Sequence, residues 1–253
     1  MPPETQYLNQ LDPDAFIYRV FTYQRFKSMI LEKKLTLLAP RKWDDPFENF
    51  LSKIPAKVTG VNGLVSLGGI FKNYFGQCWT LKEESDAIWR IYSRCKDGVK
   101  VRTTPRKLLT AIYDDSDPFK DMSYYVGKVE YLPEADLRSM LTGPTGVGNM
   151  IFDQSNLNQS KTLFIKRMEF EHEAEVRLLY RYSRDGFGGE LSDDIFQFQI
   201  SPLDLFDEVV FDPRMATSKF KLRRDELISL GFSNRILQST LYRLPDFVVE
   251  VKL

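Results

Sequence analysis

The sequence predicts an α+β fold, a mixed and mainly antiparallel sheet with surrounding helices, organised as a single domain over residues 1–253. Three observations carry this expectation. Short apolar or alternating runs outnumber the helical stretches and do not alternate with them one for one, so helices grouped around a mixed sheet fit better than regular βαβ units. Hydrophobic residues make up 43% of the chain and charged residues 28%, the balance of a sequence that folds around a core. No internal repeat or long linker divides it.

The elements follow in order. Phe16 to Phe21 is a short apolar run that reads as a buried strand. Thr22 can cap the next segment, where Phe26, Met29 and Ile30 recur at helical spacing. Leu35 to Leu38 is a second strand, broken by Pro40, and Gln77 to Thr80 a third. Ser85 or Asp86 caps a helix carrying Ile88, Trp89, Ile91 and Tyr92, and Gly98 precedes the strand Val99 to Val101. Thr104-Pro105 opens another helix, with proline where its missing N–H costs nothing.

Thr142 to Gly148 disfavours helix and strand alike, and residues 142–160 are expected to form a mobile loop or lid. Leu157 to Arg167 suits a helix, followed by a strand from Phe170 to Tyr182. A turn over residues 184–189 and the alternation of Ile195 to Ile200 predict an antiparallel hairpin with that strand. Val209 to Phe211 and Phe247 to Val251 are further strands, with a helix near Lys221 to Leu230 between them.

Composition narrows the function. With 35 basic and 35 acidic residues, the chain lacks the electrostatic footprint of a general nucleic-acid binder, although Lys219, Lys221, Arg223 and Arg224 make a local basic patch. No leader-like segment or long apolar run occurs, so a soluble, cytoplasmic protein with no membrane partner is expected. Cys78 and Cys95 are then expected to stay free. With His172 the single histidine, a zinc site has no close-spaced ligand pair, and no metal site is expected. Asp and Glu are plentiful enough to leave a magnesium site open.

Three segments could carry chemistry. On the strand from Phe170, period-2 alternation puts Glu171, Glu173, Glu175, Arg177 and Arg181 on one face, and His172 with the apolar residues on the other. That charged face reads either as solvated ion pairs or as carboxylates aimed at a substrate, with Arg177 answering their charge. Asp44, Asp45 and Glu48 could bind a cation or a sugar hydroxyl, or cap a helix beginning at Pro46, the cap being the simpler reading. Trp79, Trp89 and Tyr92 near Thr80 would suit a planar ring, or fill the core. Cys78 lacks a partner base, because the only histidine points to the apolar side.

Taken together, Tyr18-Arg19, Trp43-Asp44-Asp45-Pro46-Phe47-Glu48, Cys78-Trp79-Thr80, Ile88 to Tyr92 before Gly98-Val99, and Glu173-Ala174-Glu175-Val176-Arg177 resemble a widespread bacterial family of unknown function. Asp212-Pro213-Arg214 and Ser239-Thr240-Leu241 extend the likeness, while Asp44 and Phe170 stand where that family usually has Asn and Trp. More distantly, Tyr18 to Thr22 followed by a helix and a short strand looks like the opening of ADP-ribosyltransferases, including DNA-modifying toxins.

That resemblance implies an ADP-ribosyltransferase-like fold with NAD as co-substrate, a protein or nucleic-acid acceptor, and a role as a toxin or phage-defence effector. It implies Arg19, Glu173 and Glu175 as catalytic positions, Glu175 preferred because Arg177 can orient it. Tyr18, Arg19, Thr22, Trp79, Thr80, Trp89, Tyr92 and Arg177 would bind the cofactor. Two other readings stay open: a non-catalytic nucleotide- or partner-binding module, and a metal-dependent nuclease using Asp44, Asp45 and Glu48 with the Glu-x-Glu strand.

Overall fold

The computed structural model describes residues 2–43, 48, 50–57, 60, 62–143, 157–183, 189–244 and 250. Its strands are β1 (Tyr7–Leu8), β2 (Ile17–Thr22), β3 (Lys34–Leu38), β4 (Pro55–Ala56), β5 (Val65–Ser66), β6 (Tyr74–Thr80), β7 (Gly98–Thr103), β8 (Tyr124–Lys128), β9 (Glu130–Leu132), β10 (Ile165–Arg167), β11 (Glu175–Arg181), β12 (Gly189–Ser192), β13 (Ile195–Gln199), β14 (Glu208–Phe211) and β15 (Arg235–Gln238). The longer helices are α1 (Tyr23–Glu32), α2 (Asp86–Tyr92), α3 (Pro105–Ile112), α4 (Glu134–Thr142), α5 (Leu157–Thr162) and α6 (Thr217–Ser229). Three carry the caps their sequences encode: Thr22, Ser85 and Thr104 accept from the backbone N–H of Arg25, Ile88 and Lys107.

The main sheet runs β1-β8-β11-β6-β2-β7-β14-β15. It is parallel only at its two edges, β1 with β8 and β14 with β15. It is therefore mixed and mainly antiparallel, as the sequence predicts. Midway it forks. Thr80 at one end of β6 pairs with Tyr18 of β2, whereas Gly76 pairs with Leu38 of β3. The β3 arm continues through β13 to β12.

Both faces of β11 are buried. Val176, Leu178 and Tyr180 enter the main core with Phe26, Trp79 and Phe206. Leu179 on the opposite face joins a second core with Tyr74, Tyr125 and Phe164. A strand covered on both sides must bury whatever its sequence alternates, charges included.

Four expectations about the elements are corrected. The run from Phe170 is not one strand: Met168–Glu173 is a 3₁₀ helix, Ala174 turns at φ 43°, and the strand begins only at Glu175. Glu171 and Glu173 therefore leave the period-2 face, and His172 is not part of an apolar strand face. The charged face that remains, Glu175 and Arg177, is buried rather than solvated. The helix from Leu157 ends at Thr162, where the chain turns to become β10. Finally, β13 does not pair with β11. Its Phe196 and Phe198 share one face and pack 4.6 and 4.9 Å from the Tyr180 ring, so the arms of the fork meet face to face. Residues 144–156 of the expected mobile loop, the turn at residues 184–188 and most of the expected strand from Phe247 lie outside the described residues.

Candidate active site at the fork of the sheet

The fork creates a local hydrogen-bonding problem. Between Gly76 and Thr80, β6 has exchanged one neighbour for another, and its backbone groups on that edge need partners from elsewhere. Arg19, on β2, donates from Nη1 to the Cys78 carbonyl. Gln77 donates to the Thr36 carbonyl at 3.1 Å and accepts from the Trp79 indole at 3.0 Å. Thus Arg19 occupies the crotch of the fork, and its Nε is buried without a hydrogen-bond partner among the described residues.

Across β6 lies a network of buried charge. Antiparallel pairing sets Glu175 opposite Thr80 and Arg177 opposite Cys78, which puts these side chains on a common face. Arg177 is fully buried. Its Nε donates to Glu175 Oε1 at 2.7 Å, and Nη2 to Glu175 Oε2 at 3.1 Å and Glu48 Oε1 at 2.8 Å. Nη1 donates to the Leu163 carbonyl at 2.5 Å, and the guanidinium lies 4.7 Å from the centre of the Trp43 ring. Gly76 makes room for that ring, since a Cβ there would come within 2.8 Å of it.

Lys166 on β10 is the second cation. Its Nζ lies 2.9 Å from Glu48, 2.6 Å from Glu173 and 3.2 Å from Glu175. Three carboxylates thus share two cations in a buried setting, and Arg19 adds its own charge from the fork. Burial alone would push the Glu175 carboxyl up, but Arg177 and then Lys166 overcome it and hold it at about 2. Glu48 shifts the other way, raised because burial, with the Glu175 charge beside it, outweighs Arg177 and Lys166. Burial would lower the Lys166 ammonium, yet Glu175 and Glu48 raise it above the usual lysine value.

The residues that the sequence nominates divide into two groups. Arg19, Glu173, Glu175, Thr80 and Tyr92 converge. Arg19 feels the fields of Cys78, Tyr92 and Glu175, while Tyr92, half-exposed at the end of α2, feels Glu173, Cys78, Lys166 and Glu175. Thr80 donates to the Glu173 carbonyl at 2.5 Å. Arg177 braces this group from beneath. Trp79, by contrast, faces the main core and stacks on Phe206. Trp89 is 1% exposed and, with Tyr18, which pairs with Thr80 at the fork, surrounds the Lys100 ammonium. Thr22 is spent on the α1 cap.

Burial raises the Cys78 thiol well above its usual value, with Glu175 adding to the effect, so it is not a ready nucleophile. Sequence reasoning misses Lys166 and Tyr131, whose hydroxyl accepts from the Glu175 N–H at 2.8 Å. No local pattern marks either one. Glu48, in sequence a candidate cap or cation ligand, is a counter-ion of Arg177 and Lys166. Among the described residues no group of three or more His, Cys, Asp and Glu is placed to hold a metal ion; Asp44 and Asp45 lie outside them.

The chain's architecture has distant counterparts among solved structures. Thermus sp. 2.9 DarT in complex with NAD+ matches at 10% identity over 91% of this chain and 98% of that one, with a TM-score of 0.40. The same protein with carba-NAD+ matches at 11% identity, covering 90% and 96%, TM-score 0.38. With ADP-ribosylated ssDNA it matches at 9% identity, covering 91% and 97%, TM-score 0.41. No family profile and no curated protein matches the sequence. At such identity and TM-scores the likeness transfers no residue's role to this chain. Among the described residues no helix is long and apolar enough to cross a membrane.

Proposed function

We propose that this chain is an NAD-dependent ADP-ribosyltransferase-like enzyme whose site is the fork of β6. One observation supports this above the others. Arg19 from β2 donates to the Cys78 carbonyl, Glu175 opens β11 across β6 from it, and Glu173, at the end of the 3₁₀ turn, and Tyr92, at the end of α2, are near enough for their charges to act on this group despite their distance in sequence.

The chemistry suits that arrangement. Cleaving the nicotinamide–ribose bond sends its electron pair to the nicotinamide nitrogen and leaves an oxocarbenium-like carbon at C1′. A carboxylate fixed beside that carbon favours the developing positive charge, and one such preorganised group is worth ~10²–10³ in rate. An acceptor oxygen or nitrogen on a protein or nucleic acid then bonds to C1′ and gives up its proton. Arg19, whose Nε has no partner among the described residues, suits a phosphate. Tyr92 offers the exposed ring for a planar base or nicotinamide. An effector or toxin role would follow from such an activity.

Incubation with labelled NAD, alone and with mixed proteins and nucleic acids, tests the reading through nicotinamide release and label transfer. Absence of both, together with absence of NAD binding, would sink it. Saturation of Glu175 by Arg177 and Lys166 favours a second reading, a non-catalytic nucleotide-binding module. Tight NAD binding without turnover would select that one.

A further inference from the structure

Although they are two residues apart, Glu173 and Glu175 are in different chemical states. Both oxygens of Glu175 are committed, Oε1 to Arg177 and Oε2 to Arg177 and Lys166, and the residue is 3% exposed. Its backbone N–H is held by Tyr131. Each oxygen of this carboxylate is already held in an ion pair inside the protein.

Glu173 is half-engaged. Oε2 takes Lys166 at 2.6 Å, while Oε1 accepts no hydrogen bond among the described residues, and the side chain is 15% exposed. Its main chain is pinned on both sides. Thr80 donates to the Glu173 carbonyl, and the Leu81 N–H to the Ala174 carbonyl at 2.9 Å. Ala174 itself sits in the left-handed region, unusual for a residue with a Cβ. The turn thus lifts Glu173 off the strand, and its charge acts on the half-exposed Tyr92.

From this geometry, and resting on the reading of the fork as an NAD site, we infer that Glu173 is the carboxylate that meets the substrate. Lys166 is the positioning residue that fixes it, and Glu175 with Arg177 is a buried strut beneath. Lys166 clamps one oxygen and leaves the other to face the ribose. Removing its ammonium frees the Glu173 side chain to rotate and leaves Glu48 and Glu175 sharing Arg177 alone.

Four substitutions and one labelling experiment separate these roles. Carbodiimide with glycine ethyl ester, followed by mass spectrometry of the wild-type protein, should modify Glu173 and spare Glu175; this arm needs no NAD. Glu173→Gln should melt within a few degrees of wild type and bind NAD within about threefold, yet release nicotinamide ~100-fold more slowly. Glu175→Gln should lower the melting temperature most. Lys166→Met should reduce kcat with little change in KM, and Lys166→Arg should restore most of it, which a purely structural lysine would not predict. Equal labelling of the two glutamates, or wild-type turnover in Glu173→Gln, overturns the assignment. A wild type that neither binds nor cleaves NAD overturns the NAD reading instead, and labelling still decides which carboxylate is open.

Discussion

Arg19 donates to the Cys78 carbonyl at the place where β6 leaves β2 for β3. One side chain therefore closes a gap in the sheet and points a guanidinium into the fork. The dual role predicts a dual phenotype. Arg19→Met leaves a buried carbonyl without a donor, a loss of about 1–3 kcal/mol. Arg19→Lys keeps a donor and should recover part of it. Urea denaturation of both variants measures the difference, and equal stability of Arg19→Met and wild type contradicts it.

Removing Arg177 alone leaves Glu48 and Glu175 facing only Lys166 in a dry setting. Arg177→Met should cost about 3–5 kcal/mol, the usual consequence of breaking a buried pair. With Glu175→Gln already in place, the same change should cost much less, because one uncompensated charge has gone. A double-mutant cycle in denaturant reads this coupling, and additive effects refute it.

Acid should weaken the fold through Glu175. Its folded value, about 2, lies below the ordinary carboxylate value, so the unfolded chain takes up the proton first. The stabilisation is complete above the unfolded value near 4.5 and is lost as pH falls toward 2. Glu48, raised in the fold, has the opposite sign but acts above 4.5, where the folded chain takes up its proton first, and so leaves the decline below 4.5 to Glu175. Unfolding measured from pH 5 to 2 should therefore show a shallower decline in Glu175→Gln than in wild type.

Gly76 is needed for close approach rather than for backbone freedom. A Cβ would come within 2.7 Å of the Leu179 side chain and 2.8 Å of the Trp43 ring. Gly76→Ala should cost about 1–3 kcal/mol by overpacking, and should shift the tryptophan emission as Trp43 moves off Arg177. Unchanged fluorescence and stability would show that the ring has room to give.

Trp79 separates core from ligand contact. Its ring stacks on Phe206, and its N–H bonds Gln77. Trp79→Phe should lower stability by about 1–2 kcal/mol, through lost packing and an unsatisfied Gln77 oxygen, and leave NAD affinity within about twofold. A tenfold loss of affinity at unchanged stability would return Trp79 to the site.

Much of the framework is legible locally because the signals are local. Caps at Thr22, Ser85 and Thr104 act within three residues, and alternation in Ile195 to Gln199 needs only the strand itself. Strand pairing is not legible. Phe196 and Phe198 announce a buried face equally well whether that face stacks on Tyr180 or lies in a hairpin beside it. The short strand β15 carries two apolar residues among four and gives too little period to detect.

By itself, the sequence determined the α+β class, the helix starts, and that Glu175 and Arg177 share one side of a strand, since residues two apart always do at a period of two. Only the tertiary structure decided that this side is buried, that Glu48 and Lys166 answer its charges, and that Glu173 stands apart from Glu175. The reason is physical. A side chain's direction is set by its own backbone, but its charge state and accessibility are set by what other segments place against it, and here those segments come from residues 48, 131 and 166.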